Sequence, residues 1–136
     1  MKFKKINDQT YILRIELGEE IAEEITSFCK DLDIVSAEVY GIGAVRDSEI
    51  MHYSVDRKDY SSKAFPGEME ITSMFGFITS AGLHCHVTLA NNKMQAFGGH
   101  LKSAIVSGTV ELMLKIIPEK LDRIYEEETG LKVLDI

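Results

Sequence analysis

The amino-acid sequence predicts an α+β fold: a mostly antiparallel or mixed sheet with one main helix packed on it. Three observations predict it. From Ile34 onward, runs rich in β-branched and aromatic residues follow one another, closed by turn residues. Only one stretch, early in the chain, carries apolar residues at helical spacing. Proline occurs only at Pro66 and Pro118, and no Ser/Gly-rich tract interrupts the chain, so residues 1–136 read as one domain.

The elements follow in order. Met1–Ile6 reads as a short strand, Asn7-Asp8-Gln9 as a turn, and Thr10–Glu16 as a second strand that closes a hairpin. The helix runs from about Glu19 to Leu32. Ile21, Ile25, Phe28 and Leu32 form its apolar stripe, widened by Ala22 and Cys29, and Glu19 and Glu20 suit the positive end of its dipole. Val35–Val45 and Glu49–Val55 read as two strands separated by Arg46-Asp47-Ser48, and Lys58–Pro66 reads as irregular. Met69–Thr79 and Leu83–Ala90 are strands around the Ser80-Ala81-Gly82 turn, and Asn91-Asn92-Lys93 signals a hairpin. Met94–Phe97 and Ala104–Ile117 are strands on either side of Gly98-Gly99. Leu121–Glu127 is the last strand, followed by a short apolar tail, Leu131–Ile136.

Composition narrows the function classes. With 45% hydrophobic and 27% charged residues, the chain can bury a core without disulfide staples. Cys29 and Cys85 read as small buried thiols rather than a disulfide pair. No apolar run approaches a membrane span or follows the N-terminal lysines as a secretion signal would, so the expectation is a cytoplasmic protein without membrane contact. Fifteen Lys and Arg against 22 Asp and Glu leave a formal charge of −7, which opposes direct binding to phosphate polymers. The densest basic cluster, Lys2, Lys4 and Lys5, is terminal.

Histidine carries the sharpest chemical signal. His84 and His86 stand two apart in a strand, so both point to one face, roughly 6–7 Å apart, while Cys85 points to the other. His100 follows a hairpin that returns beside that strand, after Gly98-Gly99. Three converging imidazoles suit zinc or another divalent transition metal, with a fourth position open to water or a ligand. The plainer alternative is a set of pocket or interface histidines engaged in hydrogen bonds. His52 stands apart and reads as a surface-strand residue.

Two glutamates lie within apolar strands. Glu70 falls by alternation on a face with Thr72, Met74 and Ile78, and Glu111 on a face with Thr109, Met113 and Lys115. Each is a solvated or interface carboxylate, or else a general base or an acceptor for a ligand histidine. Gly41-Ile42-Gly43 lacks the third glycine and the following helix of a dinucleotide loop and reads as a bulge. No Walker loop, Gly-x-Ser-x-Gly elbow or Cys-x-x-Cys pair is present.

Gly41-Ile42-Gly43-Ala44, Glu70-Ile71-Thr72-Ser73-Met74-Phe75-Gly76, His84-Cys85-His86-Val87, Gly98-Gly99-His100-Leu101 and Glu111 occur in an order and spacing that resembles the PPC (plants and prokaryotes conserved) domain in its stand-alone prokaryotic form. The resemblance runs from about Thr10 to the C-terminal strand. It implies a mostly antiparallel sheet with a packed helix, assembled as a homotrimer. It also implies that His84, His86 and His100 form a metal or small-ligand site near a subunit boundary. In plants the domain accompanies AT-hook motifs, and prokaryotic members are commonly labelled DNA-binding. This chain has no Arg-Gly-Arg hook and no basic tail, and an acidic trimer would repel phosphate further. The expected function is therefore a trimeric regulatory, DNA-associated module with a three-histidine metal or ligand site. The alternatives are a metal-dependent small-molecule binding protein or enzyme, and a purely structural trimer.

Overall fold

A computed structural model describes residues 1–136. Eight strands and one helix follow in the order β1 (Lys2–Asn7), β2 (Thr10–Ile15), α1 (Ile21–Asp31), β3 (Ala37–Ser54), β4 (Asp59–Thr79), β5 (Gly82–Ala90), β6 (Ala96–Ile116), β7 (Arg123–Glu126) and β8 (Leu131–Leu134). Six strands form one sheet in the order β1-β2-β6-β3-β4-β5, and β6 pairs with β5 as well. That extra pairing joins β3, β4, β5 and β6 in a closed circuit. A separate hairpin consists of β7 and β8.

Every pairing is antiparallel, so the mixed alternative drops out. Short turns join β1 to β2 and β3 through β6 in succession, and short turns can only reverse a strand.

The strands are longer than the sequence suggests: β3 has 18 residues, and β4 and β6 have 21 each. Strands of this length must bend to close a circuit, and irregularities in register supply the bends. Arg46-Asp47-Ser48, expected to separate two strands, is such an irregularity within β3. Asp47 takes a left-handed φ of 49° there, and its carboxylate accepts from the Gly67 amide at 3.1 Å. Lys58–Pro66, expected to be irregular, lies mostly in β4, paired from Asp59 with Ser54 to Phe65 with Ser48. Its polar sequence hides the strand because both faces are exposed and no apolar alternation marks it. Pro66 falls where the β3–β4 register skips, so its missing N–H costs no ladder bond. Most of the apolar tail forms a strand: Leu131–Leu134 is β8.

Twenty-five residues form the core. Helix α1 lies against β6 and β5 and buries Ile21, Ile25, Phe28 and Cys29. The stripe is one residue shorter than its periodicity predicts, because Leu32 is the C-cap and is exposed. Phe28 packs edge-on against Phe3 and Tyr11, with ring centroids 5.0 and 5.3 Å away, which ties the first hairpin to the helix. Both cysteines are free and buried, as expected. Burial pushes the Cys29 thiol up to about 11 and the Cys85 thiol up to about 12, which leaves both inert near neutrality.

Glu20 fastens the helix to the sheet. Its carboxylate accepts from the Glu23 amide at 2.7 Å as an N-cap and from the Ala104 amide of β6 at 2.9 Å. Glu20→Ala removes both acceptors and is expected to cost about 2 kcal/mol in urea unfolding. Glu20→Gln keeps an acceptor oxygen and should retain about half of that loss or less. Equal stability of Glu20→Ala and the parent would overturn the assignment.

Candidate metal centre

Side-chain alternation along β5 sorts its residues. Cys85, Val87 and Leu89 point into the core, and His84 and His86 point outward. Strand β6 delivers the third imidazole, because His86 and His100 are directly paired across β5 and β6. The ring centroids are 5.3 Å apart for His84 and His86, 5.1 Å for His84 and His100, and 5.6 Å for His86 and His100. One nitrogen from each ring lies within 4.8 Å of the other two.

Two glycines allow this approach. A Cβ on Gly76 would lie 2.4 Å from the His84 carbonyl oxygen, and one on Gly99 would lie 2.7 Å from the Met51 carbonyl oxygen. A side chain at Gly76 would push β5 away from β4, and one at Gly99 would push β6 away from β3, displacing the strands that carry the histidines.

The cluster forms part of an open hollow of about 1240 Å³ between the sheet and the β7–β8 hairpin. Hydrogen bonds hold the connecting chain over the site. The Leu121 amide donates to Ser36 Oγ at 2.7 Å, and the Ser80 amide donates to the Leu121 carbonyl at 3.1 Å. Arg123 follows at once. Its Nη2 donates to His84 Nδ1 at 2.9 Å and its Nη1 to the Lys132 carbonyl of β8 at 2.7 Å. A guanidinium can only donate, so His84 Nδ1 is the unprotonated nitrogen and Nε2 carries the proton.

Burial pulls His84 down to about 4, helped by the nearby Arg123 charge and by His100 and His86. Burial, with His86, also lowers His100 below the ordinary imidazole range. Both are therefore neutral near pH 7, the form that ligates metals.

A stability prediction follows from the same shift. The unfolded chain protonates His84 near 6.5 and the folded chain near 4, so the unfolded state binds more protons between these values. Stability of metal-free protein should be complete above pH 6.5 and should fall as the pH drops toward 4. Urea midpoints at pH 7, 5.5 and 4.5 measure the fall, and His84→Asn should flatten it. An identical slope in that variant would exclude His84 as its source.

The donor set fits a transition metal by chemistry and approximately by geometry. A tetrahedral zinc with bonds of about 2.05 Å holds its nitrogens roughly 3.3 Å apart, so nitrogens within 4.8 Å of one another must close by no more than about 1.5 Å. The Arg123 hydrogen bond must also break, because it consumes one His84 nitrogen and leaves the other protonated.

The glutamates are elsewhere. Glu70 is exposed on β4, paired with Ala44 and Ala90, and Glu111 is exposed on β6, paired with Ile42 and Arg14. Neither lines the hollow. The face read for Glu70 is corrected: a register shift between Ile71 and Ser73 puts Met74 and Ile78 in the core while Glu70 and Thr72 stay exposed. Glu111 does share the outward face of Thr109 and Lys115. His52 is exposed on β3, as expected, but it also lines the hollow. Sequence reasoning missed Arg123, Lys58 and Lys132, which line it too. They are isolated cations without a spacing pattern, brought together only by the docked hairpin.

The comparisons with known proteins agree with this architecture. A provisionally assigned DNA-binding protein of Bacteroides thetaiotaomicron is 33% identical, with a TM-score of 0.94 over 98% of this chain and 96% of that one. The metal-containing protein of Archaeoglobus fulgidus is 28% identical, with a TM-score of 0.85 over 100% of this chain and 99% of that one. Among curated proteins, the bifunctional protein GlmU of a Synechococcus strain is 23% identical over 128 residues, 93% of this chain. The chain spans only 20% of the length of that curated relative. The model of the Plants and Prokaryotes Conserved (PCC) domain matches residues 4–118, a stretch that contains the whole six-stranded sheet apart from the first residues of β1, the helix and all three clustered histidines; the chain belongs to the PCC domain family.

Proposed function

We propose that this protein is a metal-dependent binding module in which His84, His86 and His100 hold zinc or another divalent transition metal at the side of an open hollow. The convergence of three ring nitrogens within 4.8 Å, two of the rings kept neutral by burial, carries the proposal. The metal-containing relative from Archaeoglobus fulgidus supports it. When bound, the metal supplies a Lewis-acid position open to a ligand oxygen. The protein orients that ligand with the hollow's walls. Glu70 and Glu111 serve the outer sheet face and take no part as bases. The test is elemental analysis of purified untagged protein after incubation with zinc and removal of the excess. About one metal per chain is expected; none would overturn the proposal.

The module acts as one unit over residues 1–136 and assembles as a homotrimer in a reducing, cytoplasmic setting. Tyr40, Ile42 and Phe75 support the assembly: they are exposed on the outer sheet face, and Phe75 is paired with His86. Sedimentation equilibrium should give three times the 15.3 kDa chain mass, and Phe75→Glu should lower it. If His86→Ala shifts the assembly while the parent holds no metal, the purely structural trimer replaces this account.

A second reading, association with DNA, draws support from the Bacteroides relative. The charge of −7 over residues 1–136 favours association through partner proteins over direct contact. Titration with duplex DNA at low salt should give a flat curve; salt-sensitive binding would favour direct contact.

A further inference from the structure

We propose that the hollow takes a small organic anion, with a carboxylate or phosphate head against Arg123 and an apolar body along the hollow's wall. The proposal deepens the metal reading, and rests on it only for the extra ligand position that a metal would add and for the coupling through Arg123. Three cations, Lys58, Arg123 and Lys132, line the hollow, and none of the chain's 22 Asp and Glu residues does. None of the three cations is in an ion pair, whereas seven other Lys and Arg residues are. In a chain of net charge −7, a concave surface whose charged side chains are all cationic focuses a positive potential on whatever enters.

Arg123 is built for this task. Its guanidinium has five N–H donors, and its contacts with His84 Nδ1 and the Lys132 carbonyl use two. The carbonyl contact anchors the fork to the hairpin and leaves the remaining donors for an oxyanion. Filling the histidine cluster with a metal breaks the contact to His84 and frees one more. Anion and metal are therefore coupled through Arg123: each should strengthen the other. Leu83, Val133 and Leu134 supply apolar wall beside these charges. Arg123 and Lys132 both lie beyond residues 4–118, so the anion site is assembled from the family core and the hairpin that follows it.

Calorimetric titration of the zinc-loaded and the chelator-stripped protein with four probes tests the proposal: hexanoate, phenyl phosphate, hexanamide and hexylamine. Hexanoate or phenyl phosphate is expected to bind, and which of the two binds more tightly identifies the head group. Hexanamide should bind at least about tenfold more weakly and hexylamine not at all. Arg123→Gln should lower anion affinity by about tenfold or more. Lys132→Gln, at an exposed position that leaves the fold intact, should lower it about threefold, with the larger effect at low salt. Hexanamide binding as tightly as hexanoate, or unchanged anion affinity in both variants, would overturn the proposal, as would absence of anion binding in both forms of the protein. Failure of the metal reading is separately visible: a protein that holds no zinc yet binds hexanoate through Arg123 loses the metal and keeps the anion site.

Discussion

His100→Ala should weaken binding of a divalent transition metal by on the order of 100-fold or more, because even changes to groups that merely orient ligands cost about 10–100-fold. His84 and His86 come from one strand, and alternation alone puts them on one side. They are only a pair until β6 brings His100 directly opposite His86. Removing His100 therefore leaves a two-nitrogen site, which competes poorly with water and with any chelator. Competition with a chromophoric zinc chelator reads the loss, and cobalt absorption should shift from a tetrahedral to a solvated spectrum. His52→Ala is the control. His52 lines the hollow but is not one of the three clustered rings, so metal affinity should hold. If His100→Ala kept the parent affinity, or His52→Ala lost it, the ligand set would be wrong.

Gly76→Ala should destabilise the fold by roughly 2–3 kcal/mol, the ordinary cost of forcing an extra carbon into a packed place. The added Cβ would meet the His84 carbonyl oxygen at 2.4 Å, Cys85 Cα at 2.7 Å and Cys85 Cβ at 2.8 Å. Two of these atoms are backbone, so β4 and β5 must separate where His84 is held. Metal affinity should fall together with stability. Gly98→Ala tests the cause, because its nearest neighbour would be the Val87 carbonyl oxygen at 3.5 Å, an ordinary contact. That variant should unfold within about 0.5 kcal/mol of the parent. Urea unfolding of both decides the matter: equal stabilities would show that close strand approach at Gly76 is not what limits substitution there.

Much of the fold is legible in the chain. The first hairpin, the helix and the histidine strand each carry a local signal: a turn between β-rich runs, apolar residues at helical spacing, and strict alternation. Where local signals fail, a partner strand makes the decision. Lys58–Pro66 has no apolar alternation and becomes strand because the far half of β3 offers it a ladder. Alternation misplaces the face of Glu70 because a register shift between Ile71 and Ser73 interrupts it, and no single strand's pattern announces a shift.

The candidate site divides in the same way. That His84 and His86 share a face, and that Cys85 does not join them, follows from the two-residue period of a strand and was set by the sequence alone; His100 joins them through the β5–β6 pairing. What surrounds those imidazoles was decided by tertiary structure. Arg123 is 39 positions from His84 along the chain, yet it donates to its ring because the segment after Pro118 is pinned to Ser36 and Ser80. The absence of Asp and Glu side chains from the hollow's lining has the same origin. Periodicity governs what neighbours within one element do; charge complementarity between elements depends on how they dock, and docking is settled by packing and hydrogen bonds across the whole chain.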